Sequence, residues 1–123
     1  MSKDWLDISS YFSNRKIKAY LSYKSFSTNG FSGRKNFADQ TGFNSNNLII
    51  PKQIHSKKVM LINKAGNVNA VDGVFTFNSD LVCSIQVADC MPIYFAHIKE
   101  NRFGIIHAGW RGLVNGIISE SNN

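Results

Sequence analysis

The run Ile105-Ile106-His107-Ala108-Gly109-Trp110-Arg111-Gly112 limits what this chain can fold into more than any other stretch. A β-branched pair carries a strand up to a histidine. Two glycines then flank a tryptophan-arginine pair. Glycine is the residue for backbone that needs positive φ or close approach by another group. A histidine at such a strand end faces space the glycines leave open, which suits a ligand or a proton carrier.

The rest of the sequence supplies short strands around that one. Alternating or continuous apolar runs predict strands over residues 19–26, 59–62, 73–77, 81–87, 93–98 and 103–107. Leu48-Ile49-Ile50 runs into Pro51, and residues 7–11 suit a turn or a short helix. Residues 27–47 are rich in Ser, Asn and Gly, so a long polar loop is expected there, with at most one helical turn near 36–40. Residues 63–69 read as a turn. Pro92 marks the point where the chain is expected to leave the sheet, because proline donates nothing to a ladder. Leu113, Val114, Ile117 and Ile118 share one face of a helix expected over residues 111–120. The reading is an α+β fold in one domain spanning residues 1–123.

Charge narrows the partners. The net charge is +6, but the lysines are scattered and no nucleic-acid motif accompanies them, so nucleic acid is not expected as a partner. No run approaches the roughly 18 apolar residues of a membrane span. The N-terminus lacks an apolar signal core. Cys83 and Cys90 form neither a CxxC pair nor a disulfide scaffold, so free thiols in a reducing cytoplasm are expected. Oligomeric state has no mark in the sequence.

Chemistry concentrates at breaks between strands. His55, in Gln53-Ile54-His55, shares one face with Gln53 if the segment is extended, so that glutamine could orient the ring or contact a ligand. Cys90 sits at the Asp89-Cys90-Met91-Pro92 corner, where a thiol is more open than in mid-strand. Cys83, between Leu81 and Ile85, reads as core, and His97 as a surface or turn residue. Two histidines and a cysteine suit zinc with one position left for water or substrate. Copper accepts the same donors. Cys90 and His107 could equally form a thiolate–imidazolium pair for covalent hydrolysis. Arg111 could hold a phosphate or carboxylate. Asp72 and Asp89 are candidates for supporting a ligand or moving a proton.

Four segments stand in an order that resembles the YfiH/laccase-domain family, also called the multicopper polyphenol oxidase or purine nucleoside phosphorylase family. They are Gln53-Ile54-His55-Ser56, Asp72-Gly73-Val74-Phe75-Thr76, Ala88-Asp89-Cys90-Met91-Pro92 and His107 to Gly112. The resemblance covers residues 19–120. It implies a mixed β-sandwich flanked by helices, with a zinc site at His55, Cys90 and His107. It implies phosphorolysis of adenosine, inosine, guanosine or methylthioadenosine, with phosphate as co-substrate, or deamination of adenosine. In that setting Cys90, His107 and Asp89 are the expected catalytic residues, and Arg111 and Gln53 the expected substrate-binding ones. Older family naming implies copper-dependent phenol oxidation, and some members are linked to editing of peptidoglycan precursors. Family members are about twice this length, and their helical stretch between residues 30 and 53 is fuller. The expectation is therefore an N-terminal portion of the family domain, active or degenerate.

Overall fold

The structure is a computed structural model, and it describes residues 4–23, 26, 30–87, 91–97 and 100–108, with backbone only for Phe31 and Met91. The chain divides into two compact units, Met1–Ser45 and Asn46–Asn123.

In the first unit, strands β1 (Trp5–Asp7) and β2 (Tyr20–Ser22) pair antiparallel, and helix α1 spans Gly30–Gln40. Strand β2 is shorter than the predicted run, and a 3-10 turn occupies Ser9–Tyr11. Helix α1 corrects the loop expected over 27–47. Its composition is polar, but its C-terminus is well made. The Gly42 N–H donates to Asp39 O and the Phe43 N–H to Ala38 O, with Gly42 at φ +93°. This is the Schellman arrangement, and it needs glycine at that position. The Thr41 hydroxyl adds bonds to the Phe37 and Ala38 carbonyls. Phe37 then packs edge-on against Trp5 and tilted against Phe26.

The second unit holds two sheets, one parallel and one mixed. Strands β3 (Leu48–Pro51), β5 (Gly66–Val68) and β7 (Val82–Cys83) form a parallel three-stranded sheet in the order β5-β3-β7. Strands β4 (Val59–Leu61), β6 (Gly73–Thr76), β8 (Met91–Ala96) and β9 (Phe103–Ala108) form a four-stranded sheet in the order β4-β6-β9-β8. There β4 runs parallel to β6, while β9 is antiparallel to both neighbours. Ile49 from the first sheet meets Val74 and Ile105 from the second in one buried cluster, with Val71 and Leu81. The fold is α+β, a mixed sandwich.

Three local expectations change. Residues 63–69 contain strand β5 rather than a turn alone, because the segment pairs with β3 through Val68 and Pro51. The run 81–87 keeps only Val82–Cys83 in the ladder. Pro92 does not end the sheet. It lies inside β8 opposite His107, and β8 is an edge strand, where a missing N–H costs no ladder bond. Among the described residues no helix is long and apolar enough to cross a membrane. The helix expected over 111–120 lies outside the described residues.

Candidate metal centre

Strand alternation places the first functional side chain. Ile105 and His107 lie two apart on β9 and share the inner face. His107 is the last inward residue but is still 4% exposed. Its backbone N–H donates to the Asp72 carbonyl, which brings the residue just before β6 alongside it. Asp72 is fully buried. Its Oδ2 lies 2.7 Å from His107 Nδ1.

The same carboxylate organises the segment that carries the second histidine. The Ile54 N–H and Ser56 N–H donate to Asp72 Oδ1 at 3.0 and 2.8 Å, and the His55 N–H donates to Oδ2 at 3.0 Å. The Ser56 hydroxyl adds a fourth donor at 2.9 Å. Backbone that alternates its handedness lets three successive N–H groups converge on one anion. His55 sits at φ +59°, a left-handed conformation uncommon outside glycine, though Asn, Asp and His adopt it more often than other residues. The extended Gln53–His55 segment expected from sequence therefore breaks at His55. The turn carries the exposed His55 ring to within 5.2 Å of the His107 ring, centroid to centroid, edge to face.

Burial pushes the Asp72 carboxyl up. The Ser56 N–H, the His107 ring, the Ile54 N–H and the Ser56 hydroxyl outweigh it and hold the group below the ordinary 3.8. Asp72 thus acts by holding its neighbours, since each oxygen already faces donors. Gln53 makes a separate clamp. Its amide nitrogen donates to Gln86 O and its amide oxygen accepts from the Gln86 N–H, both at 2.6 Å. Both ends of the side chain expected to meet a ligand are engaged there, four residues before Cys90 in sequence.

Of the expected site residues, His55 and His107 come together, and Gln53 lies two residues before His55. Cys90, Asp89 and Arg111 lie outside the described residues. Among the described residues, no group of three or more His, Cys, Asp or Glu side chains is arranged to hold one metal ion. The donor chemistry nevertheless fits an imidazole-bound metal. Two rings stand side by side, and the buried one has a carboxylate against one nitrogen, which leaves the other as the donor. Cys83 packs against the main core cluster and His97 is exposed, accepting the Glu100 N–H at Nδ1, both as read from sequence.

Residues 28–123 match the family described as multi-copper polyphenol oxidoreductase laccase. A purine nucleoside phosphorylase of Staphylococcus aureus (strain COL) is 30% identical over 93 residues, covering 68% of this chain and 35% of that protein. One from Staphylococcus saprophyticus is 35% identical over 88 residues, covering 63% of this chain and 34% of that protein. The chain thus spans about a third of the length of the curated relatives it matches. Among solved structures, YlmD from Geobacillus stearothermophilus superposes with a TM-score of 0.69 at 27% identity, covering 74% of this chain and 37% of that one. The YfiH protein of Bacillus licheniformis gives 0.68 at 27% identity, covering 74% and 38%.

Proposed function

This chain belongs to the multi-copper polyphenol oxidoreductase laccase family, and from that premise we propose that it carries the metal-holding part of a zinc-dependent purine nucleoside phosphorylase. The observation that supports this reading is the buried His107 ring, in contact with Asp72 and with the neighbouring His55 ring. In this reading His55, Cys90 and His107 hold the metal. Zinc, when bound, supplies Lewis acidity at neutral pH without proton exchange of its own.

The chain's own residues have separate tasks. Asp72 keeps the two histidines in place. Gln53 holds the backbone of Gln86 and so limits where the following residues can run. Arg111 would hold phosphate as a planar, permanently charged donor, and Asp89 would move the proton. Adenosine, inosine, guanosine and methylthioadenosine are the proposed substrates, with adenosine deamination as a second reaction of the same site. The proposed setting is cytoplasmic.

The test is base release from inosine by the zinc-loaded full chain, with and without phosphate. Phosphate-dependent hypoxanthine release, lost on His107→Ala, is the expected result. No release under any metal condition, or release unchanged in His107→Ala, sinks the reading. The family's description also names polyphenol oxidation. Copper-loaded protein that oxidises a phenol but leaves inosine intact would favour that chemistry instead.

A further inference from the structure

The Asp72 side chain touches both histidines' positions. Its contacts determine more than packing. Oδ1 faces two backbone N–H groups and a hydroxyl, and Oδ2 faces one backbone N–H and the His107 ring. A backbone N–H can only donate, so neither oxygen has a natural place for a proton. The group is an acceptor on both sides, and the ring nitrogen facing it must be the donor.

We infer that Asp72 is the positioning residue for both imidazoles at once: it fixes His107 as the Nδ1–H tautomer with Nε2 unprotonated, and its same two oxygens fold the 54–56 turn that presents His55. The inference rests on the proposed reading of these histidines as metal ligands. It adds that the two ligands are coupled through one carboxylate, so a change there alters both.

The asparagine variant shows why. An amide has one acceptor end and one donor end. With its NH2 at the Oδ1 position, it faces the N–H groups of Ile54 and Ser56, and both lose their acceptor. With its NH2 at the Oδ2 position, only the His55 N–H loses an acceptor. The His107 ring can then accept at Nδ1 by moving its proton to Nε2. The second arrangement loses less. Asp72→Asn therefore switches the ring to the tautomer whose Nε2 has no free lone pair.

The experiment is a long-range 1H–15N correlation spectrum of the 15N-labelled, metal-free full chain at pH about 8, where a free imidazole is neutral. The native chain is expected to show His107 protonated at Nδ1, and Asp72→Asn to show it protonated at Nε2. Zinc affinity of Asp72→Asn is expected to fall roughly 10–100-fold, the usual effect of losing such a partner. Ser56→Ala removes a donor to Oδ1 alone and is expected to leave the tautomer unchanged. A native ring protonated at Nε2 overturns the inference, as does a folded Asp72→Asn that keeps Nδ1–H or binds zinc as before. If Asp72→Asn does not fold, the native spectrum decides by itself. A tautomer switch in a chain that turns over no nucleoside supports this inference while the proposed activity fails. Turnover by a chain whose ring is Nε2–H does the reverse.

Discussion

Asp72 is fully buried and Cys83 partly so, yet their acid–base behaviour diverges. Asp72 is held below the usual carboxylate range because N–H and O–H donors replace its lost hydration. Cys83 has no comparable donors. Its thiol lies 4.0 Å from the Phe103 carbonyl, and burial pushes it up to about 12. The thiolate is the reactive form, so Cys83 is inert in the folded chain. At pH 8, iodoacetamide is expected to spare Cys83 in native protein and modify it once denaturant is added, as read by peptide mapping. Native-state alkylation as fast as in denaturant would contradict this. The linkage has a definite sign. The folded thiol keeps its proton above the pH at which the unfolded one releases it, so stability is fully present below the ordinary 9.0 and is lost as pH rises toward about 12. Tyr94, also raised to about 12 by burial, adds to the loss above its ordinary 10.0. At this scale the sequence was informative in part. The strand-end position of His107 and the core position of Cys83 followed from alternation. Asp72 was legible as a candidate for supporting a ligand, but its bonds to the 54–56 turn were not, because those partners lie 16 to 18 residues away and converge through one backbone reversal.

Two glycines show what each element demands. At Gly104, in β9, an added Cβ would press on the Val74 carbonyl and come within 2.6 Å of Phe75 Cβ and 2.7 Å of Phe95 Cζ. The demand there is for space, set by the close approach of β6, β8 and β9. At Gly42 the surroundings are open and the demand is for φ +93°, which ends α1. Gly104→Ala is expected to cost about 1–3 kcal/mol through overpacking. Gly42→Ala is expected to cost about 1–2 kcal/mol, from the left-handed backbone alone. Thermal melts check both, and Gly42→Asn, which tolerates that backbone, should recover part of the loss while Gly104→Asn should not. Equal melting temperatures for native protein and Gly104→Ala would contradict the packing account. Strands β4, β6 and β9 were legible as apolar runs within a residue or two at each end. Helix α1 was not. Its few apolar residues give no clear stripe, and the signal that was present lay at its end, in Thr41-Gly42-Phe43.

At the scale of the whole molecule, every described site residue belongs to the Asn46–Asn123 unit. Both sheets of that unit serve the site: β9 carries His107, the residue before β6 is Asp72, and Gln53 follows β3 by two positions. A chain spanning about a third of its relatives' length carries the paired histidines and a carboxylate that contacts both residues. The paired histidines are proposed to hold a metal ion, and titration of the metal-free full chain with zinc checks this. Saturation near one zinc per chain is expected, with binding weakened at least about tenfold by His55→Ala and by His107→Ala while each variant keeps the native strand content by circular dichroism. Zinc binding that is absent, or that both folded variants retain at native strength, would contradict it.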